Sequence, residues 1–372
     1  MAEQTYSIRY PRNRLVRTFW RIVGRVVLFF LARVKISGRA NFPKKGPLIV
    51  VGNHVGNMEV ILMVVYSPWQ VELLGVGDIP IDPGFAPVAL TFKYIPVKRG
   101  QMDRQAMNKA LDVLKQGGVV GVFPEGGIWE TRLKEAQSGV SWLSLHGNAP
   151  ILPMGFGGMV GALNAVRQLK RPRLVMNIGR LLPALQLQPG QPRREALEAY
   201  AQQVMGEIEK LIPLQDIMRQ PAPLEESFEL QVQVQDQSAH GAEIPPELLP
   251  QQGEALSFFF WRPVLLDIFQ RNLRRPVSVL QDLRGWLEPK AVLTAANHIL
   301  SYLENENPYL LTYRFGSERA AAMQAGLQEL QRLAEWAAGH DYRLKLTPIH
   351  RRRMAAEAEE IVETNPGRMH KM

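Results

Sequence analysis

Two apolar runs, Pro47-Leu48-Ile49-Val50-Val51 and Val119-Val120-Gly121-Val122-Phe123, divide the first half of the chain. Runs of this length, rich in β-branched residues and punctuated by glycine, read as strands with both faces buried. Around them the period changes. Residues 58–66, 85–92, 102–116 and 138–146 carry helical patterns, and Met107, Ala110, Leu111 and Leu114 share one face of the third. Gly117-Gly118 stops that helix. Residues 71–75, 94–97, 151–156 and 173–178 read as further strands, and 194–212 as a closing helix. The alternation predicts an α/β domain.

Ahead of it, residues 14–34 predict an amphipathic helix. Arg14, Arg17, Arg21 and Arg25 recur at three- and four-residue steps and share one face, while Leu15, Phe19, Ile22, Val23, Val26 and Phe30 share the other. The apolar stretch between Ile22 and Ala32 is too short to span a bilayer core, which takes about 20 residues. Such a helix, with Trp20, Phe29 and Phe30 available to its apolar side, either lies in a membrane interface or packs on the domain.

Beyond residue 212 the texture changes. Residues 213–254 are rich in Pro, Gln and acids and read as a linker. Residues 255–372 open on Phe258-Phe259-Phe260-Trp261 and read as a mostly helical accessory region, with helical patterns at 277–287, 291–303 and 317–338. Arg351-Arg352-Arg353 reads as a solvated turn of helix. The expected organisation is a basic interfacial helix (1–34), an α/β domain (35–212), a linker (213–254) and a helical region (255–372).

Composition narrows the chemistry. The 372 residues are 46% hydrophobic, enough for a full core, and include no Cys, which excludes disulfides and thiol catalysis. The net charge of +9 sits at one end: the first fifty residues carry eleven Lys or Arg against a single acid, Glu3. A basic end attracts an anionic membrane or nucleic acid; no nucleic-acid-binding motif accompanies it, so no nucleic-acid partner is expected. The start lacks a signal-peptide pattern.

The chemistry-bearing stretch is Gly52-Asn53-His54-Val55-Gly56-Asn57-Met58-Glu59, at a strand-to-helix turn, where open α/β sheets hold ligands. An imidazole held by a carboxylate can take a proton from an alcohol, its reference pKa being about 6.5. Taken alone, the stretch fits at least as well a structural His beside a surface Glu. Lys98 and Arg99 follow the strand at 94–97, and two adjacent cations suit a phosphate as well as they suit a solvated loop. Phe123-Pro124-Glu125-Gly126-Gly127 forms a tight turn at a strand end, and reads equally as a structural turn with a paired Glu. Asn297-His298 repeats the first dipeptide, but Leu303 stands where an acid would be needed, so His298 reads as a helix residue. No Gly-x-Ser-x-Gly elbow is present, which disfavours a hydrolase.

The order Asn53-His54-x4-Glu59, Tyr94-Ile95-Pro96-Val97-Lys98-Arg99, Phe123-Pro124-Glu125-Gly126 and Pro150-Ile151-Leu152-Pro153-Met154 resembles the glycerophospholipid acyltransferase family, the group of lysophosphatidic acid and glycerol-3-phosphate acyltransferases. The likeness runs over roughly residues 34–180. The family has Asp where this chain has Glu59, and beyond the third block, at Trp129–Gln137 with Arg132 and Lys134, only Gly139 matches clearly. The resemblance implies a central mostly parallel sheet flanked by helices. It implies transfer of a fatty acyl group from acyl-CoA or acyl-carrier protein to a lysophospholipid hydroxyl, most simply that of 1-acylglycerol-3-phosphate, in phospholipid biosynthesis. Another membrane alcohol or amine as acceptor, or a catalytically weak lipid-binding relative, are the other readings. His54 is then the general base and Glu59 its orienting carboxylate. Arg99, joined by Lys98, would hold the acceptor phosphate, Glu125 and Gly126 would belong to the acceptor site, and Phe123, Pro124 and Pro153 would line the pocket. The expected place is peripheral, on the cytoplasmic face of a membrane, with no cofactor and no metal.

Overall fold

The structure, a computed structural model, describes residues 6–100, 102–126, 137–217, 223–236, 240–355, 358–364 and 366. Gly127, Arg132 and Lys134 of the sequence analysis lie outside these residues.

Helix α1 (Arg14–Leu31) leads into β1 (Arg33–Ser37) and then β2 (Leu48–Gly52). The N-terminal half continues through α2 (Met58–Tyr66), β3 (Val71–Val76), α3 (Ala86–Phe92), β4 (Ile95–Val97), α4 (Arg104–Lys115) and β5 (Val119–Val122). It ends with α5 (Gly139–Gly147), β6 (Ile151–Gly157), α6 (Ala162–Arg167), β7 (Arg173–Ile178), α7 (Arg193–Glu209) and the short α8 (Leu214–Ile217).

The seven strands form one sheet in the order β1-β7-β6-β2-β5-β3-β4. All neighbours are parallel except β6 and β7, so β1 and β7 run against the other five. Every residue of β2 is buried. Leu48 and Val50 face a core built with α1, α2 and α3, while Ile49 and Val51 face a second core built with α4, α5 and α7. Burial on both faces is why the strand reads as a continuous apolar run rather than an alternating one.

Helix α1 carries the two stripes that its sequence predicts. Its arginine stripe faces the protein: Arg17 is fully buried and its guanidinium grips Glu72 of β3 at 2.5 and 2.9 Å. Arg17 also donates to the carbonyls of Phe92 and Lys93 at the end of α3. Arg21 donates to the Ser67 carbonyl and Arg25 to that of Val65, at the end of α2. Cations thus occupy the carbonyl ends of two helices, where orphan acceptors and the helix dipole favour them. The apolar stripe is turned outward, with Leu15 88% and Phe29 72% exposed.

The C-terminal half departs further from expectation. The Pro- and Gln-rich stretch contains β8 (Glu225–Gln235), followed by β9 (Gly241–Ala242). Helices α9 (Gly253–Phe260), α10 (Pro263–Asp267), α11 (Pro289–Asn305), α12 (Tyr309–Phe315) and α13 (Ser317–Gly339) lead to β10 (Arg343–Arg353) and β11 (Ile361–Glu363). The sheet order is β11-β10-β8-β9, antiparallel throughout. Phe228, Leu230, Val232 and Val234 alternate with polar residues and pack on the helices, as a half-buried strand requires. Residues 213–254 are therefore not a linker along their length. Arg351, Arg352 and Arg353 end a strand rather than a helix, paired with Glu229, Glu363 and Glu225. Residues 277–287 form only a short 3-10 turn at Ser278–Gln281.

Candidate active site

Strands β2, β5, β3 and β4 all end on the same edge of the sheet, so the segments after them converge, at the carboxyl ends where such sheets bind ligands. Strand β2 delivers Asn53 and His54. The Asn53 amide is buried and exchanges two hydrogen bonds with the backbone of Phe156 in β6, accepting from its N–H at 2.7 Å and donating to its carbonyl at 3.1 Å. Asn53 therefore fixes where the strand ends and the turn begins.

His54 Nδ1 lies 3.0 Å from Glu59 Oε1. Glu59 has no solvent exposure, and the same oxygen accepts the backbone N–H groups of Val55 and Gly56 at 2.6 Å each. Because a carboxylate only accepts, Nδ1 carries the hydrogen and Nε2 the lone pair. The position of Glu59 in the first turn of α2 adds the favourable end of the helix dipole. Its extra methylene, compared with Asp, does not prevent the contact.

The third block adjoins the first through the β2–β5 pairing. The Phe123 ring stacks on the His54 ring, with centroids 4.3 Å apart. Glu125 is buried and its Oε1 accepts the backbone N–H of His54 at 2.7 Å. Glu125 thus helps to hold the His54 backbone in place.

Arg99 is half-buried and forms a two-pronged pair with Asp78, Nε to Oδ1 at 2.7 Å and Nη2 to Oδ2 at 3.0 Å. Lys98 is exposed, and its backbone N–H donates to Asp103, the cap of α4.

These residues border one cavity of about 1170 Å³, beyond the usual ~300–1,000 Å³ of small-ligand sites. His54, Lys98, Arg99, Phe123, Pro124 and Gly126 line it, and an apolar trough between α1, α2, α3 and β3 extends it. Glu59 and Glu125 stand behind the lining. Pro153 is not part of the cavity wall: it is buried within β6, paired with Val51 and packed against Gly179. A proline in a strand core fills space, and its pairing geometry keeps it from the cavity.

Sequence reasoning did not find Asp78, or Tyr313 of α12, which also borders the cavity. Both reach the site through tertiary contacts 21 and 187 residues away in sequence, and neither sits in a recognisable motif.

Residues 33–157 match the acyltransferase family. The 1-acyl-sn-glycerol-3-phosphate acyltransferase of Bacillus subtilis (strain 168) is 24% identical over 138 residues, 36% of this chain and 67% of that protein. That of Borreliella burgdorferi is 29% identical over 104 residues, 27% of this chain and 42% of that protein. Among solved structures, the 1-acyl-sn-glycerophosphate acyltransferase PlsC from Thermotoga maritima is similar at 18% identity and a TM-score of 0.41, over 55% of this chain and 84% of that one. Over residues 33–157 the chain is thus similar to the acyltransferase family, and both relatives that match there are 1-acyl-sn-glycerol-3-phosphate acyltransferases.

Proposed function

We propose that the protein transfers a fatty acyl group from a thioester, acyl-CoA or acyl-carrier protein, to the free hydroxyl of a lysophospholipid, 1-acylglycerol-3-phosphate first, in phospholipid biosynthesis. The observation that carries this reading is the His54–Glu59 pair, with Nδ1 bound to a buried carboxylate and Nε2 left as the base. His54 takes the acceptor proton as the hydroxyl oxygen attacks the thioester carbonyl. The C–O bond forms, the C–S bond breaks, and the imidazolium returns the proton to the departing thiolate. Glu59 stabilises the transient imidazolium, a role a buried carboxylate performs without being protonated. The apolar trough suits an acyl chain. Lys98 and Arg99 lie at the cavity wall for a phosphate, and Glu125 and Gly126 shape the acceptor side of the turn.

A second reading, a neutral alcohol or an amine as acceptor, draws on one observation: Asp78 already offsets the charge of Arg99. An acceptor panel separates the two. Labelled acyl-CoA or acyl-carrier protein is offered with lysophosphatidic acid, glycerol 3-phosphate and uncharged lysolipids, to wild type and Arg99→Ala. Turnover of the phosphorylated acceptor that falls with Arg99→Ala supports the first reading. Turnover confined to uncharged or amine acceptors supports the second.

The proposed place of work is the cytoplasmic face of a membrane, with the protein peripheral. No helix among the described residues is long and apolar enough to cross a bilayer. The outward stripe of α1, with Phe19, Ile22, Val26, Phe29 and Phe30, presents contiguous apolar surface beside the trough, as an interfacial helix does.

A further inference from the structure

The catalytic half and the C-terminal unit meet at the acceptor side of the cavity. Tyr313 of α12 donates its hydroxyl to the Gly126 carbonyl at 2.7 Å. Its ring stands 5.8 Å from the Arg99 guanidinium carbon. Gly126 has φ of +72°, and a Cβ there would fall 1.7 Å from the Tyr313 hydroxyl oxygen. Gly100 has φ of +84°, and a Cβ there would fall 2.7 Å from Tyr309 Cβ and 3.2 Å from Tyr313 Cβ. Both positions demand glycine twice, for the left-handed backbone and for the close approach of α12.

The segment after β3 is held from the same side. The Asp78 carbonyl accepts from Tyr302 and Asn307, Asn272 donates to the Pro80 carbonyl, and Arg271 pairs with Asp82. Ile79 packs into the core of the C-terminal unit. The three segments that follow β3, β4 and β5 therefore all rest on that unit, and Thr312 and Tyr313 form part of the cavity wall.

We propose that Tyr313 is a positioning residue for the acceptor, setting the Phe123–Gly126 turn and the Arg99 segment from the C-terminal unit, which thereby completes the acceptor subsite. The inference rests on the acyl-transfer reading above. The coupling is short. The Gly126 N–H closes on the Phe123 carbonyl at 3.0 Å, Phe123 stacks on His54, and Glu125 of the same turn accepts the His54 backbone N–H. Burial raises the Tyr313 phenol above its ordinary value, so the hydroxyl remains a donor through the neutral range.

The test uses the full chain and Tyr313→Phe, which keeps the ring and removes only the donor. Two readouts are taken. The first is the KM for lysophosphatidic acid and for acyl-CoA. The second is amide hydrogen exchange in peptides covering 98–100 and 123–126. The expected result is a rise in acceptor KM of about 3- to 10-fold, the size of one lost hydrogen bond. The acyl-CoA KM stays within about twofold and exchange quickens in those peptides alone. Unchanged KM values with unchanged exchange would overturn the proposal, as would an equal fall in all parameters with a lower thermal midpoint. A wild type that makes no product with any acceptor removes the acyl-transfer reading, and the exchange measurement still decides the role of Tyr313.

Discussion

The Arg17 guanidinium is buried against the Glu72 carboxylate, joining helix α1 to strand β3 through two parallel hydrogen bonds. Arg12 donates to the same carboxylate from a more exposed position, so Glu72 keeps a cation when Arg17 is replaced, whereas replacing Glu72 leaves the buried Arg17 charge without a carboxylate, which is costly. Glu72→Met is expected to destabilise the fold by about 3–5 kcal/mol, and Glu72→Met with Arg17→Met by less than that. Urea denaturation of wild type and the two variants checks the order; a double variant less stable than the single would contradict it.

Turning the arginines inward leaves the apolar stripe of α1 outside. Phe29→Asp with Phe30→Asp is expected to lower binding to phosphatidylglycerol-containing vesicles at least ~10-fold, since each buried Phe is worth about 1.5–3 kcal/mol. Co-sedimentation measures it. Unaltered binding would move the membrane contact elsewhere.

One carboxylate oxygen of Glu59 serves His54 Nδ1 and two backbone N–H groups together. Glu59→Gln puts an uncharged amide behind the imidazole, and kcat should fall about 10²-fold or more. Glu59→Asp shortens the arm in a turn built around Glu, and is expected to lose activity as well. A large gain for Glu59→Asp, measured by product formation, would instead mark this chain as a catalytically weak relative of the acyltransferases it resembles.

Asp103 caps α4 and also holds the backbone of Lys98. Burial would raise its carboxyl, but the N–H groups of Lys98, Ala106 and Gln105, with the Lys98 charge, outweigh it and hold the carboxyl below its ordinary value. A folded-state value below the unfolded one stabilises the fold above the ordinary carboxylate range and ceases to do so as pH falls through the folded value. Asp103→Ala should cost about 1 kcal/mol near neutrality. The gap between wild type and variant should narrow in acid, as read from thermal midpoints across pH.

The catalytic half was legible where local pattern and tertiary burial agree. Strands β2 and β5 are apolar throughout because both their faces are covered, and His54 and Glu125 follow them directly. The face of α1 was not legible: periodicity shows two stripes but not which one meets Glu72 and the ends of α2 and α3. Strand β8 was hidden by the composition around it. Its inward residues Phe228, Leu230, Val232 and Val234 alternate with Glu and Gln, a period-2 signal that the surrounding prolines and acids mask in composition. Asp78 and Tyr313 enter the site only once β3 and α12 have packed, so no local pattern could mark them.

The proposed acyl transfer turns on His54. Purified wild type and His54→Ala, in lipid micelles with labelled acyl-CoA or acyl-carrier protein and lysophosphatidic acid, are compared for acylated product. The expected result is product from wild type and a loss of about 10²–10⁴-fold in the variant, the usual contribution of a general base. Equal product from both proteins would contradict the assignment of His54 as the base.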